Sequence, residues 1–74
     1  MRELTWKPDY IKPNVFYAVV SAVHTFWVYE DTPKQVEAFM QDKKEGSSTL
    51  VFQGESKLAA INACERLFKE MEYA

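Results

Sequence analysis

The stretch VFYAVVSAVHTFWVY, residues 15–29, runs without a single charge, and any fold of this chain has to bury much of it. It falls short of the roughly 20 apolar residues that a bilayer span requires and contains Ser21, His24 and Thr25, so it reads as a core segment. Helical spacing links Phe16, Val19, Val20, Val23 and Trp27. The β-branched and aromatic content favours strand, and periodicity alone does not separate the two in a continuous apolar run. One strand of this length would be about three times the usual size. The expectation is therefore two strands, residues 15–21 and 25–30, joined near Ala22 to His24. That joint lacks Gly, Asn and Asp, and a single bent or bulged strand is the alternative.

Only 74 residues are available to cover this run. A chain of that size removes only about 60% of its unfolded surface from water, so the expectation is one domain with a thin core. With 47% hydrophobic and 15% aromatic residues, the chain is too rich in core formers to stay disordered. The single cysteine, Cys64, excludes an internal disulfide framework and cannot make a four-ligand zinc site unaided, which suits a reducing, cytoplasmic setting. Residues 1–14 mix Arg, Glu, Lys and Asp with two prolines and lack the apolar stretch of a signal peptide, so export by that route is not expected. Nine basic against eleven acidic residues leave a net charge of −2, with no global field to attract nucleic acid or an acidic membrane.

Residues 1–14, with Trp6, Tyr10 and Ile11 between Pro8 and Pro13, read as an extended arm packed on the domain, because each proline also restricts the residue before it. Residues 15–74 read as a single α+β domain. Residues 30–46 carry a helix signature: Thr32 as N-cap, Pro33 at the first helical position, Gln35 three after the cap and Gly46 as terminator. Val36, Phe39 and Met40 make its apolar stripe, while Lys34, Glu37, Gln41, Asp42, Lys43, Lys44 and Glu45 face water. Residues 47–53, SSTLVFQ, read as a short strand between two glycines. Ser56 can cap a longer helix from Lys57 to about Glu72, its stripe formed by Leu58, Ile61, Cys64, Phe68 and Met71. The fold expected is a two-layer α+β sandwich, a three-stranded sheet with two helices in the order β-β-α-β-α after the arm.

Groups that could carry chemistry are few. Cys64 and the only histidine, His24, could form a nucleophile and base. Cys64, however, lies mid-helix on an apolar stripe rather than at a helix N-terminus, where a thiol pKa is lowered. His24 reads as a backbone-bonded turn residue. No phosphate-cradling glycine motif exists, and Asp31 reads as a helix-dipole partner rather than as half of a catalytic pair. No catalytic, metal or cofactor site is expected, nor a small-molecule substrate or membrane partner.

Two resemblances bear on nucleic acid. Gly54-Glu55-Ser56-Lys57 followed by Ala59, Ala60 and Ala63 is similar to the entrance of the last helix in double-stranded RNA-binding domains, where Ser and Lys meet phosphate. That family places several lysines there, where this chain has Lys57 beside Glu55. Phe16-Tyr17-Ala18-Val19, a second apolar strand, a helix carrying Val36 and Phe39, then a strand and a helix, resembles the hybrid-binding domain of some ribonucleases H and the viroplasmin domain. The resemblance implies binding of RNA-containing duplexes. The family's basic third strand is replaced by residues 49–53, and no binding residue is carried over.

In a sheet covered on one face, alternate residues point away from the cover. Tyr17 and Val19 share one side of the first strand, and Phe16, Ala18 and Val20 the other, so both sides are apolar. An open apolar face of that kind marks an interaction surface. The function expected is thus a non-enzymatic protein-interaction module that binds another protein or its own copy through Trp6, Tyr10, Tyr17, Trp27 and Tyr29. Accessory proteins of phages and mobile elements, including inhibitors of host factors, share this profile of one short acidic domain without a catalytic motif. The alternative is an RNA- or hybrid-duplex-binding module with Lys34, Lys43, Lys44, Lys57 and Arg66 on the phosphates.

Overall fold

The charge-free run forms two antiparallel strands, β2 (Val15–Val19) and β3 (His24–Thr32). What the sequence lacks in turn residues between them, Ser21 supplies. Its hydroxyl accepts the backbone N–H groups of Val23 and His24 at 3.1 and 3.2 Å, and the Val20 and Ser21 N–H groups both donate to the His24 carbonyl. A serine side chain standing in for a backbone acceptor closes a turn without glycine. The structure is a computed structural model and describes residues 4–71.

Ahead of β2, Lys7–Pro8 forms a two-residue strand, β1, paired with Tyr17 and Phe16. After β3 come β4 (Gln35–Asp42), β5 (Ser47–Gly54) and one helix, α1 (Lys57–Glu70). The five strands form an antiparallel meander in the order β1-β2-β3-β4-β5. The expected three-stranded sheet with two helices is therefore incorrect: the described residues form five strands and a single C-terminal helix.

The error lies in residues 30–46. Their Thr32-Pro33 signature is a hairpin turn, with Thr32 Oγ1 accepting the Lys34 N–H at 3.3 Å. The segment alternates instead of turning every 3.6 residues: Val36 and Ala38 are fully buried, while Gln35 is exposed and Glu37 half-buried. Pairing explains why strand wins. Along β3, Phe26 and Val28 are fully buried, and β4 satisfies their outer backbone edge from Glu30↔Val36 to His24↔Asp42. A helix at this place would leave those central groups unbonded. The order behind the resemblance to hybrid-binding domains is thus not the order of this chain.

At the far end of β4, Asp42 Oδ1 accepts the N–H groups of Lys44 and Glu45 at 2.9 and 3.1 Å. Gly46 takes φ 70° to turn into β5, a backbone region that glycine enters without steric cost. Hydrogen bonds from the Glu45 and Lys44 N–H groups, with the facing His24, hold the Asp42 carboxyl below its ordinary value of 3.8 despite partial desolvation.

Helix α1 starts on Ser56, whose side chain accepts the Ala59 N–H at 3.2 Å. It packs over β5, β4 and β3. Ala60, Cys64 and Phe68 from the helix meet Val20, Phe26, Val28, Val36 and Ala38 from the sheet in one apolar cluster. Beyond the reach of α1, the covered face is completed by Leu4, Trp6 and Phe16, which pack against the same cluster.

An uncovered aromatic face on the sheet

The strand register defines the side of the sheet away from α1. Because Phe26 and Val28 point at the helix, Thr25, Trp27 and Tyr29 point the other way. Cross-strand pairing then runs Lys7↔Tyr17, Tyr17↔Trp27, Trp27↔Phe39 and Phe39↔Leu50. One transverse row therefore crosses all five strands, with three adjacent aromatic rings at its centre. The Tyr17 and Trp27 rings lie 5.3 Å apart, Trp27 and Tyr29 6.4 Å, and Tyr29 and Phe39 5.7 Å edge to face. These separations fall in the range where ring pairs attract.

Polar groups edge the rings. The Trp27 indole N–H donates to Gln41 Oε1 at 2.9 Å, fixing the ring's orientation. A shallow depression of about 370 Å³ is lined by Trp27, Tyr29, Phe39, Gln41 and Ser48. Val19, 58% exposed, and Leu50, 51% exposed, extend the apolar surface. Thr25 is buried on this side with Oγ1 lacking a partner among the described residues. The four rings are each half-buried, largely by one another, so the face is a packed aromatic plate rather than a cleft.

Among the described residues one carboxylate pair, Asp31 and Glu37, converges at the margin of the plate, a meeting that their spacing in the chain does not announce. The Glu37 carboxyl is pushed above its ordinary 4.5, first by a side-chain hydrogen bond with Asp31, then by desolvation and by the Asp31 charge. Glu37 sits opposite Tyr29 in the ladder. Among the described residues no group of three or more His, Cys, Asp or Glu side chains is placed to hold a metal ion, and no helix is long and apolar enough to cross a membrane.

Of the five residues expected to meet a partner, the structure brings Tyr17, Trp27 and Tyr29 together. Trp6 lies on the opposite face, partly buried against the core with its indole nitrogen unpartnered among the described residues. Tyr10 is 101% exposed in the loop before β2. Phe39 belongs to the plate and was missed, because the helical reading of residues 30–46 assigned it to a core stripe. Its place two residues from both Glu37 and Gln41, on the face opposite Val36, Ala38 and Met40 in a period of two, was the available signal.

The five basic residues of the alternative reading are dispersed. Lys34 lies in the turn before β4 and Lys43 and Lys44 in the turn after it, the two ends of a strand about 26 Å long. Lys57 is on the helix side, its ammonium 3.5 Å from the centroid of the Phe16 ring, and Arg66 is on the exposed flank of α1. His24 faces Asp42 at 3.5 Å, and Cys64 is fully buried in the core, so the two do not meet. Compared with protein-family models, curated proteins and solved structures, the chain has no match in any of the three.

Proposed function

We propose that this chain is a non-enzymatic protein-interaction module that presents the open face of its sheet to another protein. The observation that carries the reading is the row Tyr17, Trp27 and Phe39, with Tyr29 beside it, set on three adjacent strands with nothing over it among the described residues. Trp and Tyr dominate the energetic centres of protein interfaces because they bury large areas with few rotatable bonds. Here their rotamers are already restricted by ring contacts and by the Gln41 hydrogen bond, which lowers the entropy lost on binding. The polar rim of Gln41, Ser48 and Glu37 around an apolar centre matches the usual anatomy of such surfaces.

The scatter of Lys34, Lys43, Lys44, Lys57 and Arg66 over both ends and the helix side supports a protein partner over a nucleic acid, whose phosphates call for basic groups on one face. In this reading the module works in the cytoplasm, a setting that suits a lone buried Cys64. Action on a host protein, in the manner of a phage or mobile-element accessory protein, rests on class analogy.

The test is capture from a lysate of the source organism by the immobilised chain and its variants. A specific protein held by the wild type and by Leu58→Ser, on the helix side, but lost with Tyr17→Ser and Trp27→Ser supports the reading. A partner held equally by all four proteins sinks it, as does a captured species that is removed by nuclease and released steeply by salt.

A further inference from the structure

The two edges of the sheet are finished differently. At one edge β1 is two residues long and contains Pro8, which has no N–H to offer a further strand. At the other, β5 presents eight residues, SSTLVFQG, with no proline and no charge. Natural sheets protect a long edge with lysine, proline or a covering segment, and an edge without these pairs readily with another strand. The β-bulge that leaves Val51 unpaired against β4 is the only such device on β5.

Beside this edge runs an open groove of about 350 Å³ between β5 and α1, with Thr49 and Val51 on the sheet side and Ala63 and Leu67 on the helix. Two charges flank it, Arg66 and Glu70, both exposed. Neither has an ion-pair partner among the described residues.

We infer that β5 pairs antiparallel with β5 of a second copy of this chain, joining two sheets into one of ten strands. The occupant is a second copy because the groove's charges complement themselves. A two-fold axis normal to the sheet reverses α1, so Arg66 of one copy comes within about one helical turn, roughly 5.4 Å along the axis, of Glu70 of the other, and the pair occurs twice. The spacing also fits. With strands about 4.8 Å apart and α1 packed over β5, β4 and β3, the two helices stand about 14 Å from each other, a gap that the long Arg66 and Glu70 side chains can bridge. The inference stands apart from the open-face reading, since the dimer leaves both aromatic plates uncovered on one continuous surface.

Sedimentation equilibrium across a concentration series tests it. The wild type is expected at twice its 8.6 kDa mass. Thr49→Lys, which places a charge on the exposed edge, is expected to be monomeric with an unchanged circular dichroism spectrum. Arg66→Glu is expected to weaken the dimer about tenfold, and Arg66→Glu with Glu70→Arg to restore it, because the double exchange rebuilds both ion pairs. A wild type that stays at monomer mass to about 1 mM overturns the inference, and so does a dimer indifferent to Thr49→Lys. A dimer abolished instead by Trp27→Ser, with Arg66→Glu silent, places the second copy on the plate and overturns it equally.

Discussion

At the scale of single residues, the Asp31 and Glu37 carboxyls are the clearest case of chemistry that only the fold creates. They stand six apart in sequence, and a one-residue irregularity in the β3–β4 ladder between Glu30 and Thr32 puts Asp31 within hydrogen-bonding reach of Glu37. The Glu37 carboxyl titrates above 4.5 in the folded chain. The folded state therefore binds that proton more tightly than the unfolded state does. Its contribution to stability is complete below about 4.5 and is lost as pH rises through the folded value, where two carboxylates are forced together. Glu37→Gln keeps a hydrogen-bond donor for Asp31 and removes the repulsion. The variant is expected to melt at a higher temperature than the wild type near pH 7, with the difference closing near pH 3.5. Equal differences at both pH values would show that the pair carries no such coupling. At Gly54 a Cβ would lie 2.7 Å from the tip of the Phe52 ring, so a larger residue there has to displace that ring.

Among the elements, β3 decides the fold, and its two faces carry opposite duties. Phe26 and Val28 fill the core under α1, whereas Trp27 and Tyr29 form the plate. Phe26→Ala is expected to cost about 3–5 kcal/mol, the usual loss for a buried aromatic, which in so small a domain is most of its stability. Trp27→Ser should cost clearly less, because its ring packs on neighbours at an open surface. Urea titrations of both variants check this, and a Trp27→Ser loss equal to that of Phe26→Ala would mean that the plate is core. The division of the charge-free run into two strands was legible in the sequence from its β-branched and aromatic content, as were the apolar surplus on β2, the strand near residues 47–53 and the Ser56-capped helix. Residues 30–46 were not, for a physical reason. A threonine hydroxyl followed by proline closes a turn and caps a helix by the same hydrogen bond, and Val36, Phe39 and Met40 satisfy a helical stripe while Val36, Ala38 and Met40 satisfy a strand face. Only the unpaired edge of β3, a long-range fact, chooses between them. The same error hid Phe39, so the plate was legible as three rings and not as four.

For the whole molecule, the one helix among the described residues covers the buried cluster, and the core is expected to open as a unit. α1 supplies Ala60, Cys64 and Phe68 to a cluster whose other members come from β3, β4 and the residue after β2. Among the described residues nothing else lies over that part of the sheet. Lifting the helix would expose Phe26, Val28 and Val36 together, a loss of roughly 1.5–3 kcal/mol for each large side chain, comparable in sum to the stability of a small domain. Cys64 is a built-in reporter of this. It is fully buried, and burial, with the neighbouring Glu65 charge, pushes its thiol up to about 12. Disulfide reagents attack through the exposed thiolate, so neither condition is met in the folded chain. Labelling of Cys64 is expected to be negligible in native buffer and to rise with urea along the same curve, with the same midpoint and slope, as the fluorescence of Trp6 and Trp27, which lie on opposite faces of the sheet. Coincident curves are the signature of a single cooperative unit. Labelling that precedes the fluorescence change would mean that α1 detaches from an intact sheet and that the five strands hold together without it.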